Sequence, residues 1–496
     1  MKRYEFRRQF IVGTDFFGSE DYWYHILIKH NVRLSVHRDL PVHEAQKDGK
    51  KIILIGYILD PFNTDYTNSD IVKHLLNQSG SFSEVIENTY GLSGRWLLIF
   101  TQNNEIKLFH DPFGIRQIYY AEHNGELWCG SQPSILADNL NLKPEENNKD
   151  LEDFIYSPVF ESKEGFWIGN KSRFQSIKHL LPNHYLDYVT NSVHRYWVNE
   201  EQNLSLHKAS KLAGEILRGS LIAANKQFNL MMPITAGWDS RVLLSASKDI
   251  KDDVFYYIST KNILNSEDDD IKIPKRIFER LGLEFNVLDE LEEPDEDFLQ
   301  ILRKNVNNAR NSPKTLTLYE FYLNHQDKMN VNGLGGEIAR CYYNYEEEEP
   351  TAEFLAKITG YPSSNYAISE IEEWLHEVRS FFGASSINIF DLYYWEQRIG
   401  NWGAMDQAEK DIAIREFCPF NNRKLLMILL SVDRKYRTLP NFRLFRNIIH
   451  YLWRDLLKEP FNPISIKEKI VLTFKNKMPY NLKKSIKNKL NIFPYN

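Results

Sequence analysis

Cysteine is scarce in this chain. Three of 496 residues, Cys129, Cys341 and Cys418, stand far apart and form no CxxC or other metal-ligand pair, which argues against a disulfide framework and a zinc site and fits a reducing cytoplasm. Long apolar runs are also missing: nothing approaches the roughly 18 residues of a membrane span, and the N-terminal MKRYEFRRQFIVG has charge but no apolar segment of signal length. Nor is there an excess of basic residues. The formal charge of -6 and pI near 6.2 speak against a general nucleic-acid binder while leaving room for a local basic patch. What is present is an ordinary globular composition, 42% hydrophobic and 14% aromatic, in a chain long enough for two or three domains. These features describe a soluble intracellular protein.

The most informative stretch is Met231 to Lys248, MMPITAGWDSRVLLSASK. Phe228 to Ile234 is apolar enough for a buried parallel strand, with Pro233 tolerable near its end. Ala236 and Gly237 leave backbone N–H groups uncovered, and Val242, Leu243, Leu244 and Ala246 then form the packing face of a helix. The turn therefore falls at a helix N-terminus, where unpaired donors and partial positive charge attract phosphate. Thr235 and Ser240 add hydroxyls. Among phosphates the carboxylate of Asp239 would be repelled unless a divalent metal lay between, so it implies magnesium. A plain strand, turn and helix capped by an Asp has the same local pattern.

TAGWDSR resembles the SGGxDS pyrophosphate loop of the ATP pyrophosphatases in the form used by the asparagine synthetase family, whose members adenylate a carboxylate and release pyrophosphate. Thr235 stands for the first Ser and Ala236 for the first Gly, while Gly237, Asp239 and Ser240 match. The resemblance implies that Thr235, Ala236, Gly237, Trp238, Asp239 and Ser240 bind ATP and that Asp239 holds Mg2+.

The first part of the chain has short β-like runs at Lys51 to Leu59, Arg95 to Thr101, Glu105 to His110 and Gln117 to Ala121, with hairpin turns at Asn103-Asn104 and Asn124-Gly125. Tyr90 to Ala137 resembles the second half of the family's glutaminase domain, through YGLSGRWLLIF, HDPFGIRQIYY and LWCGSQPSILA in that order. This implies a layered αββα sandwich over residues 1–200. Its nucleophile is absent: working members expose a Cys at the second position, here Lys2, and no Cys, Ser or Thr precedes Thr14. The family's Asn-Gly substrate segment aligns near Ile55 to Pro61 and is not retained, so no glutamine hydrolysis is expected. Asp138 to Asp150 reads as a linker, and Phe174 to Trp197 resembles the family's closing hairpin. His179, His184 and His194 there match no metal pattern and suit hydrogen-bonding roles.

From Leu204 on, helix and strand patterns alternate: helix to Asn225, the loop strand, strand Val254 to Ser259, helix Ile271 to Leu281, strand Phe285 to Leu288, helix Asp295 to Arg310 and strand Met329 to Asn332. That order predicts a parallel sheet with ligands at the carboxyl ends of its strands, in a second domain over 201–496. Asn332 to Ile338, NGLGGEI, ends one such strand. It resembles the family's GDGADE, making Gly333, Gly335 and Gly336 nucleotide contacts and Glu337 a second Mg2+ ligand; a glycine-rich turn with a surface acid is the plainer alternative. Leu334 stands where relatives carry an acid or a Tyr and cannot move a proton. Tyr342, Tyr343, Glu396 and Asp406 are polar residues near the expected cleft.

Glu346 to Glu349 reads as a solvated acidic loop. The rest is expected to be a helical layer without strands, with helices at Glu370 to Phe381, Asn388 to Arg398 and Arg423 to Val432, and aromatics around Tyr393 to Trp402 that line a pocket or pack helices. Ile412 to Leu430 resembles a family segment, with Pro419 and Phe420 matching. Asn462 to Asn496 carries eight lysines against one acid, as a solvated tail or a site for an anionic partner. The family's catalytic Lys near the C-terminus points to Lys467 or Lys469.

These resemblances imply an ATP- and Mg2+-dependent amide-forming ligase, cytoplasmic, acting on a carboxylate (peptide, sugar acid or small acid) and an amine or ammonia. Lasso-peptide, natural-product and surface-polysaccharide pathways use such relatives. No nucleic acid is expected as partner, and homo-oligomer formation is left open. The alternatives are a scaffold protein that has kept the fold without catalysis, and the same loop used for chemistry on an RNA, which the low pI disfavours.

Overall fold

The computed structural model describes residues 2–198, 204–307, 309–311, 313–345, 350–383, 388–440 and 442–463. Residues 10–195 build two six-stranded antiparallel sheets. One runs in the order Lys178–His179, Tyr119–His123, Glu126–Gly130, Phe10–Gly13, Val32–His37, Trp23–Lys29; the other runs Ser192–Arg195, His184–Asp187, Glu105–His110, Ser93–Gln102, Lys50–Leu59, Val42–Lys47. Alternation along the two long strands explains the layering. Ile53, Ile55, Leu97 and Ile99 face Phe10, Val12, Leu34 and Val36 of the first sheet. Their neighbours Ile52, Leu54, Trp96, Leu98 and Phe100 face outward, under the helices Asn68–Gln78 and Phe82–Asn88. On the far side, Ile11, Trp23 and Trp128 are covered by Ile135 and Leu136 of the helix Pro133–Leu140. The layers are therefore helix, sheet, sheet, helix.

Four early strands, from Phe10–Gly13 to Val42–Lys47, are additions to the sequence reading, and the segment 138–150 read as a linker is helical at both ends. The histidines fall as expected. His179 is buried against Asn401 (3.0 Å), His184 against Glu377 (2.7 Å), and exposed His194 bonds Ser192 (2.8 Å).

The second sheet system is parallel, in the order Asn286–Leu288, Phe255–Ser259, Asn229–Pro233, Lys328–Val331, Arg415–Phe417. Its last strand corrects the expectation of a strand-free C-terminal part. Three residues with charges at both leading positions carry no strand pattern, and Glu416 can be fully buried only because Asn330 (2.7 Å), Asn332 (2.5 Å) and Lys410 (3.4 Å) meet its carboxylate. The helix expected over Asp295 to Arg310 stops at Asn305, and a further helix, Lys314–Asn324, follows. From Asn229–Pro233 the chain moves outward through two strands and returns to the other side as Lys328–Val331. The strand order reverses between these two, and beyond the carboxyl ends at such a reversal is where sheets of this kind bind ligands.

The two sheet systems are locked together. Arg95 makes a two-pronged bond with Asp411 (2.7 and 2.8 Å), both nearly inaccessible, and Tyr57 Oη donates to the Glu416 carbonyl (2.6 Å). Asn421 donates to the Gly94 carbonyl and to Asp111 (both 2.8 Å) and accepts from the Phe113 N–H (2.9 Å). A second lock joins the hairpin to the helix Asn365–Phe382: Arg195 Nε and His184 meet Glu377 (2.9 and 2.7 Å).

Two outcomes follow from these locks. Arg95→Met leaves Asp411 short of its main partner, and loss of one member of a buried pair costs about 3–5 kcal/mol, to be read as a lower urea midpoint; a change below about 1 kcal/mol would show that the interface does not depend on the pair. Burial raises the Glu377 pKa, but His184 and Arg195 outweigh it and hold the carboxyl down at about 2. A lowered folded-state pKa stabilises above the ordinary carboxylate range and is lost as pH falls toward about 2, so acid unfolding of Glu377→Gln should be flatter than wild type in that window.

Candidate nucleotide site at the strand reversal

The loop after Asn229–Pro233 and the loop after Lys328–Val331 meet at the reversal point. In the first, Thr235 Oγ1 accepts from the Gly237 N–H (3.1 Å), and Ser240 Oγ accepts from the Thr235 N–H (3.2 Å), which folds 235–240 back on itself. The helix Trp238–Ala246 starts directly after Gly237 without a side-chain cap, so its first-turn N–H groups have no side-chain acceptor. Asp239 lies in that first turn.

The second loop explains its glycines by contact. A Cβ on Gly333 would lie 2.9 Å from Asp239 Cβ, and one on Gly336 only 2.1 Å from Asp239 Oδ1. At Gly335 φ is +91°, a conformation side chains resist, and a Cβ there would strike the Phe113 ring at 2.2 Å. Phe113 comes from HDPFG in the first sheet system, so that unit forms the floor under the loop. Glu337 Oε2 accepts from the Gly335 N–H (3.2 Å). Its carboxyl is pushed up to about 7, by burial first and then by the Asp239 charge, with Arg340 opposing.

Thr235, Ala236, Gly237, Asp239 and Ser240 thus stand together with Gly333, Gly335, Gly336 and Glu337. Trp238 contributes packing: its indole is stacked on Phe461 (3.9 Å between centroids, 7° between planes) and edges Phe442. Of the cleft candidates, Glu396 is fully buried and saturated by Arg195, Trp374 and Asn183, and Asp406 is bound by Arg310 and Lys410, so both are structural. Tyr343 is buried. Half-exposed Tyr342 packs on Tyr394 (4.7 Å), whose hydroxyl is held well above its usual range by burial and then by the charge of Glu337. On the π-type helix Tyr394–Gly403, fully buried Trp395 donates to the Pro112 carbonyl (2.7 Å) and Trp402 to Glu164 (3.1 Å), so these two aromatics pack helices. Lys467 and Lys469 lie outside the described residues.

Two residues that sequence reasoning missed complete the site. Arg340, one turn after Glu337, grips both oxygens of Asp239 through Nε and Nη2. Asp270, at the end of the SEDDD run, accepts from the Ala236 N–H (2.9 Å). A carboxylate thus occupies a loop amide, and a guanidinium covers the loop's acid. Those are the charge types that a phosphate and a divalent cation bring, and the hard oxygen donors of Asp239 and Glu337 fit Mg2+ chemically once Arg340 shares or yields Asp239. Among the described residues no group of three or more His, Cys, Asp or Glu stands ready to hold a metal.

No protein-family model matches the sequence, and no curated protein matches it. Among solved structures, the chain is similar to glutamine phosphoribosylpyrophosphate amidotransferase from B. subtilis complexed with ADP and GMP, at 10% identity over 68% of this chain and 72% of that one, with a TM-score of 0.25. It is similar to the NH3-dependent NAD synthetase from Campylobacter jejuni at 13% identity, 40% and 94% coverage and a TM-score of 0.21. The glutamine-dependent NAD+ synthetase from Acinetobacter baumannii in complex with ADP shows 10% identity, 61% and 71% coverage and a TM-score of 0.19. Likenesses this distant carry no weight for fold or activity, which rest on the chain's own residues.

Proposed function

We propose that the chain is an ATP-dependent amide-forming ligase of the asparagine synthetase type that does not hydrolyse glutamine. The observation that carries this reading is the meeting of Asp239 and Glu337, on two backbone-rich loops, at the reversal point of the parallel sheet. A carboxylate oxygen of the substrate bonds the α-phosphorus of ATP as the bond to the pyrophosphate oxygen breaks. An amine nitrogen then bonds the acyl carbon, AMP leaves, and the ammonium proton is lost. The first-turn amides after Gly237 and the hydroxyls of Thr235 and Ser240 bind the pyrophosphate. Asp239 and Glu337 would hold Mg2+, which neutralises leaving-group charge when bound.

The nitrogen is free ammonia or an amine of the substrate. Ahead of the first strand, Phe6 and Gln9 are committed to packing: the Phe6 N–H donates to Asn305 Oδ1 (2.6 Å) and Gln9 Nε2 to the Asn305 carbonyl (2.8 Å). Lys467 and Lys469 are the candidates for steadying charge on the acyl-adenylate. Asn462, the second-last described residue, donates its N–H to the Ala236 carbonyl (3.1 Å). A peptide, sugar acid or small acid in a lasso-peptide, natural-product or surface-polysaccharide pathway is the proposed substrate class, and the cytoplasm the proposed location.

The scaffold reading is favoured by one observation: Asp270 and Arg340 already occupy the loop's amide and acid. Calorimetric titration of Mg2+-ATP separates the two. Binding by wild type that falls at least about tenfold in Asp239→Ala supports the ligase; no binding by folded wild type favours the scaffold. Glu337→Gln keeps the shape of the second loop and removes its charge. Metal-free ATP binding should persist in this variant while its enhancement by Mg2+ is lost, and an unchanged enhancement would remove Glu337 from the metal site.

A further inference from the structure

Away from the strand reversal, a small cavity lies between the two sheet systems where Arg8, Arg95 and Arg116 of the first face Arg415 of the second. Its ionic pairing does not balance. Of the three carboxylates that line it, Asp39 is taken by Arg7 (2.7 Å), which lies outside the cavity, and Glu416 by Lys410 (3.4 Å). Asp411 alone remains, and it serves Arg95 (2.7 Å) and Arg116 (3.4 Å). Arg8 and Arg415 have no carboxylate within ion-pair distance among the described residues.

The donors tell the same story. Arg8 and Arg116 are 2% and 4% exposed, and the Nε atoms of Arg8, Arg116 and Arg415 have no hydrogen-bond partner among the described residues. Buried charged donors are seldom left so, since each forfeits its hydration without return. The backbone holds them there: Arg8 sits at φ +55°, a strained value for a non-glycine residue, with its Nη1 tied to the Asp411 carbonyl (2.8 Å). Burial and neighbouring guanidinium groups hold Arg8 well below its ordinary range, and burial with Arg95 brings Arg116 down to about 10.

We propose that this cavity binds one halide-sized monovalent anion, chloride being the common one, which bridges the guanidinium groups of Arg8, Arg116 and Arg415 across the interface. Size sets the class. The cavity is small, with room for about one water-sized particle, and a small anion suits it better than a phosphate or a carboxylate ligand. The anion supplies the missing counter-charge and joins the two sheet systems at a point where the protein's own acids are already engaged.

Thermal unfolding of the full chain in sodium chloride against sodium gluconate at matched ionic strength tests this. Wild type should gain on the order of 2 °C, saturably, in chloride and in bromide but not in gluconate. Arg8→Met, and Arg415→Met should the first not fold, should lose that gain. Crystals grown in bromide should show an anomalous peak between Arg8 and Arg415. Equal midpoints in the two salts, or a water-like peak without anomalous signal, would overturn the proposal and leave the cavity hydrated.

Discussion

The contact of Phe113 with Gly335 is the constraint on which the site depends. The ring lies against a residue without a side chain, so the glycine loop is backed by Phe113 on one side and meets Asp239 on the other. The first sheet system thereby backs the loop that carries one of the two carboxylates proposed to hold the metal. Trp395 Nε1 donating to the Pro112 carbonyl (2.7 Å) and Asn421 accepting from the Phe113 N–H (2.9 Å) hold the HDPFG turn from the opposite side.

Electrostatics act at two separate places. At the loops, charge is matched internally: Arg340 covers Asp239, Asp270 covers an amide, and Glu337 is left as an acid in a place that disfavours its charge. At the interface, charge is matched through Arg95 and Asp411 and falls short around Arg8 and Arg415. Both are places where a small ion is proposed to change the balance, a cation at one and an anion at the other. The apolar core contributes continuity. One cluster runs from Tyr57 and Phe113 through Leu217 and Val331 to Phe445, across both sheet systems.

Much of this was legible in the sequence where the signal is local. The hairpins at Asn103 and Asn124 are marked by residues that tolerate positive φ, and both adopt it (+50° and +54°). The strand, turn and helix around Asp239 follow from an apolar run, small residues and helical spacing. The strand Arg415–Phe417 was not legible, because what makes it a strand is its pairing with Lys328–Val331 and the burial of Glu416 among distant partners. Arg340 and Asp270 escaped for a similar reason. Each is an ordinary charged residue at a helix end, and only the folding of two loops onto each other gives it a partner. Glu396 and Asp406 were misread as cleft residues, since nothing local shows that Arg195 and Arg310 reach them.

The lock between Arg95 and Asp411 also has a place in time. Its partners are 316 residues apart, so a ribosome adding roughly 5–20 residues per second delivers the second about 15 to 60 s after the first. Over that interval the first sheet system carries Arg95 and Arg116 without their acid. The two halves can therefore become one body only late in synthesis, when the strand Arg415–Phe417 has emerged to close the parallel sheet.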